Sequence, residues 1–288
     1  MDFNTITPQS TADLLNVIQA NQENNFRFGA GYTDLIPELQ IQNEKGLIVI
    51  NLAQLKDHDF TEIKAEKSGI RIGALATMTD TLSEENLRKI PVMIEAIESL
   101  ASVQIRSMAT VGGNICTASP AGDVSCALVA LNAECEILNV EHKTRTISIK
   151  DFFTGVKTTV LKKDEILRSV FIPNLECANR TLSGFIKIGN RNSMEIALAS
   201  LAYHLMLDEN GIVTNAGVAI GSVAKSIMFT ETACEFIMGK NIGILSEADK
   251  ERFADLVMEY ASPISDIRAS AWYRSQALWN MCKSIFLE

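Results

Sequence analysis

Apolar residues recur at helical spacing near the start of the chain, at Leu14, Leu15 and Ile18, and Ser10 or Thr11 precedes them where a capping hydroxyl belongs. A helix is expected there. Residues 26–28 and 47–50 are short apolar runs that read as strands, and residues 34–40 between them read as a short helix interrupted by Pro37. Residues 69–74 suit another strand, followed by helical patterns over 79–89 and 91–104. Residues 134–140, 145–149 and 165–172 carry the β-branched enrichment of strands. A polar stretch over 173–180 reads as a linker. Beyond it come longer, antiparallel-looking strands at 182–188, 195–207 and 212–220, divided by turns such as Asp208-Glu209-Asn210-Gly211, then helices at 231–238, 247–260 and 269–286. A mixed first half and a sheet-then-helices second half predict an α+β fold without internal repeats.

At 288 residues the chain exceeds what one compact core usually takes, so two or three subdomains are expected. With 47% hydrophobic and 21% charged residues it can bury a sizeable interior. Its 35 acidic and 26 basic residues give a net charge of -9, which argues against a nucleic-acid surface; any phosphate must be held locally. No apolar run approaches the roughly 20 residues that span a bilayer, and the start lacks a signal pattern, so a cytoplasmic protein without a membrane span is expected. The six cysteines, Cys116, Cys126, Cys135, Cys177, Cys234 and Cys282, are scattered without C-x-x-C or a histidine at ligand spacing. They read as small buried thiols of a reducing compartment, Cys116 included, and no metal is expected.

Candidate chemistry lies in two turn-like segments. Thr110-Val111-Gly112-Gly113-Asn114-Ile115-Cys116-Thr117-Ala118-Ser119-Pro120-Ala121-Gly122-Asp123 gathers glycines and hydroxyls just before the apolar run 124–131. Arg27-Phe28-Gly29-Ala30-Gly31-Tyr32-Thr33-Asp34-Leu35 has the same character. Glycine admits main-chain N–H groups close to a polyanion, and hydroxyls donate to phosphate oxygens. Two such turns suggest one extended nucleotide. The Rossmann pattern fails because Asp34 stands where its third glycine belongs, and neither turn ends in the Gly-Lys-Ser/Thr of a P-loop. His58, His142 and His204 lie away from both turns, so no catalytic triad is indicated and a bound cofactor is expected to carry any reaction.

These turns, together with Gln104-Ile105-Arg106-Ser107-Met108-Ala109 ahead of Thr110, Ser119-Pro120-x-x-Asp123, Asp164-Glu165-Ile166-Leu167, Phe185-Ile186-Lys187 and Asp266-Ile267-Arg268-Ala269-Ser270-Ala271-Trp272-Tyr273-Arg274, resemble the FAD-binding subunit of molybdenum hydroxylases. That group contains the xanthine, carbon monoxide and nicotinate dehydrogenases. The resemblance covers nearly the whole chain. It implies a vanillyl-alcohol-oxidase (PCMH) type FAD-binding domain over 1–175, with α+β subdomains at about 1–56 and 57–175, and a C-terminal α+β domain of antiparallel sheet and helices over 176–288. It implies an oxidoreductase subunit whose FAD relays electrons from iron-sulfur clusters to NAD or another acceptor. The partners implied are a molybdopterin-binding large subunit and a 2Fe-2S small subunit.

Carried over position by position, Arg27, Phe28, Gly29, Ala30, Gly31, Tyr32, Thr33 and Asp34 form a first FAD-contacting loop, its glycines against the diphosphate. Thr110, Val111, Gly112, Gly113 and Asn114 form a second, and Thr117 and Asp123 hydrogen-bond the cofactor. Leu100 and Leu167 pack on its rings, and Lys187 lies near the isoalloxazine; Lys187 alone would read as a solvated strand residue. Asp34 and Asp123 suit sugar hydroxyls, since they would repel phosphate. Arg268, Trp272, Tyr273 and Arg274 read as packing and surface charge or as a partner-facing patch. One departure stands out: Tyr32 replaces the second glycine of Ala-Gly-Gly-Thr-Asp-Leu, so a positive φ there would displace the loop or lay the ring over the cofactor. Tyr32 favours an alternative, a flavin-free scaffold of the same fold, whereas the intact second turn favours a flavoprotein.

Overall fold

The computed structural model describes residues 3–42, 44–173, 180–191 and 194–287; the expected linker, the boundary at 175 and Cys177 fall largely or wholly outside them. A three-stranded parallel sheet opens the chain, ordered Phe3–Ile6, Leu47–Asn51, Phe26–Gly29. Its central strand is covered on both sides. Leu14, Leu15 and Ile18 of helix Thr11–Ala20 pack with Ile50, and Leu35 and Leu39 of helix Leu35–Ile41 pack with Leu47 and Val49. Ser10 caps the first helix, its hydroxyl accepting from the Asp13 amide at 3.2 Å. Pro37 does not interrupt the second, because it occupies the first turn, where an N–H needs no intrahelical partner.

A five-stranded antiparallel sheet follows, ordered Ile63–Glu66, Gly69–Gly73, Glu165–Pro173, Glu134–Asn139, Thr144–Ser148. Helices Pro91–Glu98 and Asp123–Ala130 lie between it and a third, four-stranded antiparallel sheet, Arg180–Ile188, Ala199–Leu207, Val213–Gly221 and Met228–Phe229. This layer holds the largest core. Helix Asp123–Ala130 is buried at every residue, which explains its unbroken apolar run. The third sheet's other face carries helices Glu231–Ile237, Glu247–Met258 and Ala271–Ser284.

Four expectations need correcting. The helix expected over 91–104 ends at Glu98: Ala101 takes a left-handed φ of 46°, and Ser102 caps a new turn, Val103–Arg106. Arg106 stabilises this break by donating to the Leu100 and Ala101 carbonyls at 2.7 and 3.3 Å. The helix expected over 79–89 is instead Met78–Ser83, closed by a Thr77–Asp80 capping box, with a separate 3₁₀ turn at Leu87–Lys89. The strand expected from 195 begins only at Ala199. In the C-terminal motif Trp272 is exposed, but Arg274 is buried rather than a surface charge.

Candidate functional site

A cleft of about 840 Å³ opens where the carboxyl end of strand Phe26–Gly29 faces helix Val111–Thr117. Ligands of parallel sheets gather at that end of the strands. Of the first turn, Arg27, Phe28, Ala30, Gly31, Tyr32, Thr33 and Asp34 border the cleft; of the second, Thr110, Gly112, Gly113 and Asn114. Leu100, Thr117, Asp123 and Leu167 complete the expected lining. Gly29, Val111 and Lys187 do not border it.

The two turns meet. A Cβ on Gly31 would lie 2.0 Å from the Met108 carbonyl oxygen and 3.0 Å from the Ala109 Cα, so only glycine lets the first turn rest against the approach to the second. Thr117 Oγ1 donates to Asp34 Oδ2 at 3.3 Å and to the Gly113 carbonyl at 2.9 Å. The backbone amides of residues 30–34 have no acceptor among the described residues, so one wall of the cleft presents a row of free donors.

The second turn works differently from the expected main-chain loop. It is the first turn of a helix with Thr110 as N-cap, and its amides are already used. Val111 N–H donates to the Ala76 carbonyl at 3.0 Å, Gly112 to Ala74 at 2.8 Å, Gly113 to Thr110 Oγ1 at 3.0 Å and Asn114 to the Thr110 carbonyl at 3.0 Å. A Cβ on Gly112 would stand 2.6 Å from the Ala74 Cβ, so this glycine serves helix packing. What the turn offers the cleft is the Asn114 side chain. Its Oδ1 accepts from Ser125 N and Oγ at 3.2 and 2.9 Å, which turns Nδ2, without an acceptor among the described residues, away from that pair.

Tyr32 has the glycine-like φ of 61°, at a cost of about 1–2 kcal/mol for a residue with a Cβ. The loop is nevertheless in place. The ring folds down over Gly29, where an added Cβ would lie 2.5 Å from it, and joins Leu35, Leu39, Leu47 and Val49. Gly29 therefore accommodates the tyrosine, and burial raises the phenol pKa.

Charge is distributed unevenly. Arg27 is held by Glu38 at 2.6 Å and by Glu44 at 3.6 Å, and Glu38 also takes Lys157; the Arg27 hydrogen bond is the main reason the Glu38 carboxyl lies below its ordinary range. Lys162 and Lys163, which lie in no motif of the sequence, also border the cleft and add positive charge. Deeper in, Lys187 Nζ donates to Asp123 Oδ2 at 2.6 Å and to the Ser99 carbonyl at 3.1 Å, both side chains being 6% exposed. Lys187, expected near the isoalloxazine, thus stands behind Asp123 and does not itself border the cleft. Asp123 Oδ1 is buried with no partner among the described residues. Burial raises the Asp123 carboxyl to about 6, with Lys187 opposing the shift.

Cys116, expected to be buried, is exposed within the cleft, whereas Cys126, Cys135, Cys234 and Cys282 are buried. The protein packed around the Cys116 thiol raises its pKa by desolvation, and water in the open cleft offsets much of that effect. His204 is a core residue: burial lowers its pKa to about 4, and its Nδ1 lies 2.9 Å from Ser183 Oγ.

A free-amide row, a buried acceptor without a donor among the described residues and two lysines at the rim suit a ligand with a diphosphate and sugar hydroxyls. Residues 1–175 match the FAD binding domain in molybdopterin dehydrogenase, and residues 185–288 match the CO dehydrogenase flavoprotein C-terminal domain. The glyceraldehyde dehydrogenase medium chain of Sulfolobus acidocaldarius is 28% identical over 288 residues, covering 100% of this chain and 98% of that one. The nicotinate dehydrogenase FAD-subunit of Eubacterium barkeri is 27% identical over 292 residues, covering 100% and 96%. In fold, a CO dehydrogenase chain from Oligotropha carboxidovorans superposes with a TM-score of 0.89 at 23% identity, over 99% of this chain and 96% of that chain. The α+β fold is therefore the PCMH-type FAD domain with its C-terminal companion. This chain belongs to the FAD-binding subunits of the molybdopterin dehydrogenases, the molybdenum hydroxylase family of oxidoreductases, and FAD is its cofactor.

Proposed function

We propose that this chain links the iron-sulfur clusters of a 2Fe-2S small subunit, fed by a molybdopterin-binding large subunit, to NAD or another acceptor. FAD, when bound, supplies the chemistry of that junction, since it exchanges single electrons as well as a hydride. The amides of residues 30–34 bind the diphosphate, with Lys162 and Lys163 supplying charge at the rim. Arg27, Phe28, Tyr32, Thr33, Thr110, Gly113, Asn114 and Thr117 form the surrounding contact surface, and Leu100 and Leu167 wall the rings. Asp123 Oδ1 accepts from a sugar or ribityl hydroxyl, the donor it lacks among the described residues. In this reading residues 1–175 are the FAD domain, with subdomains at about 1–56 and 57–175, and 176–288 close over it. The free thiols among the described cysteines suit the cytoplasm.

The observation that carries this reading is the seating of Gly31 on Met108 and Ala109, which puts both turns on one cleft. The purified chain is expected to show flavin absorption bands and to release FAD on heating. A colourless protein that cannot be reconstituted would favour the flavin-free scaffold. Co-expressed with its partners, it is expected to purify with molybdopterin and iron-sulfur subunits, and to reduce NAD on addition of their substrate.

Cys116 gives an independent footprint. In the FAD-free protein iodoacetamide is expected to modify Cys116 and spare Cys126, Cys135, Cys234 and Cys282; FAD should then protect it. Peptide mass spectrometry reads both results. Unchanged labelling with FAD present would place the cofactor elsewhere.

A further inference from the structure

Arg274 lies on the last helix, Ala271–Ser284, and is 4% exposed, yet it carries a full charge. Its Nη1 donates to the Leu198 carbonyl at 2.7 Å and to the Ser222 carbonyl at 3.2 Å, while Nη2 meets Asp266 Oδ1 at 2.8 Å. Neither carbonyl is at an arbitrary place. Leu198 N–H donates to the Ile188 carbonyl at 2.7 Å and so closes the base of the connection between strands Arg180–Ile188 and Ala199–Leu207. On one side of that base Met194, Glu195 and Ile196 border the cleft; on the other stands Lys187, which holds Asp123. Ser222 N–H, in turn, donates to the Pro120 carbonyl at 2.7 Å, and the flanking Ser119, Ala121 and Gly122 also border the cleft.

We infer that Arg274 is a positioning residue for the FAD site, its guanidinium setting the C-terminal wall at residues 194–196 relative to the turn at residues 119–122. The inference rests on the flavin reading above. A planar fork whose Nη1 takes both carbonyls while Nη2 takes a carboxylate is what an arginine provides and a lysine or an apolar residue does not. Burying its charge is costly, and well-packed hydrophobic residues often replace a buried ion pair without loss of stability, so stability alone does not account for it. Asp266 completes the clasp. The amides of Arg268 and Ala269 hold its carboxyl down at about 2, so the counter-charge persists throughout the working pH range.

The test compares the full-length wild type with Arg274→Met and Arg274→Lys. FAD affinity and dissociation rate are read from flavin fluorescence, and the wall from hydrogen exchange of the Leu198 and Ser222 amides. Arg274→Met is expected to weaken FAD binding roughly tenfold, chiefly through faster dissociation, since hydrogen bonds from a charged donor are lost. Arg274→Lys, whose ammonium lacks the fork, should fold and give an intermediate loss together with faster exchange at both amides. Wild-type FAD kinetics and exchange in Arg274→Lys, with only a lower melting temperature, would overturn the inference. If the wild type itself takes no FAD, the flavin reading fails, and the exchange result alone decides what Arg274 holds.

Discussion

Adding one methyl group at position 31 is expected to cost the protein most of its flavin. In Gly31→Ala the new Cβ would lie 2.0 Å from the Met108 oxygen and 2.7 Å from the Met108 carbonyl carbon, both backbone atoms that no rotamer change can move aside. The first turn must retreat from the segment leading into the second. Overpacking of this kind costs about 1–3 kcal/mol, equivalent to a loss of affinity of roughly 10- to 100-fold when the strain falls on the bound geometry. Folding should survive, because the turn is a surface connection and the cores on either side are untouched. Gly29→Ala provides the contrast: there the obstacle is the Tyr32 ring, whose far end can swing away. A fluorescence titration with FAD should therefore rank wild type first, Gly29→Ala next and Gly31→Ala last. Equal affinities for wild type and Gly31→Ala would mean that the meeting of the two turns does not build the site.

Which glycine does what could not be read from the chain itself. Local rules located both turns, because glycines and hydroxyls cluster there, and they located the helix of Leu14, Leu15 and Ile18, because a 3.6-residue period needs no knowledge of the rest of the molecule. The roles within the turns depend on neighbours far along the sequence. Gly112 is small because of Ala74, Gly31 because of Met108, and Gly29 because of Tyr32. The Asp123 side chain looked like a ligand-facing acceptor and has one oxygen free for that, but its other oxygen is engaged by Lys187, 64 positions away. Arg274 read as surface charge for the same reason, since its acceptors Leu198 and Ser222 are 76 and 52 positions distant. Cys116 read as a buried thiol because scattered cysteines of a reducing compartment usually are, while its exposure comes from a concavity formed by other elements. Helix breaks were illegible where a nearby side chain competes for the carbonyls, as Arg106 does for those of Leu100 and Ala101 within the ladder expected over 91–104.

Lys187→Met is expected to destabilise the FAD-free protein by about 3–5 kcal/mol at about pH 8, because it strands the buried Asp123 carboxylate. The pH dependence follows from the sign of the Asp123 shift. Burial raises this carboxyl from 3.8 to about 6 even with Lys187 opposing, so between those values the folded protein holds a proton that the unfolded chain has released. Stability from this group therefore falls as pH rises through that window and levels off above it. Without Lys187 burial acts unopposed, the carboxyl moves higher still, and the fall continues to higher pH. The substitution should thus cost little at about pH 5, where Asp123 is largely protonated in both proteins, and progressively more toward about pH 8. Urea unfolding at the two pH values measures the difference directly. The double variant Asp123→Leu with Lys187→Met removes both charges and should recover most of the lost stability, yet bind FAD more weakly than wild type, because the Asp123 Oδ1 acceptor is gone. That separation of stability from cofactor binding is the decisive outcome. A Lys187→Met cost independent of pH, or a double variant no more stable than the single one, would show that the pair does not act as a buried charge pair.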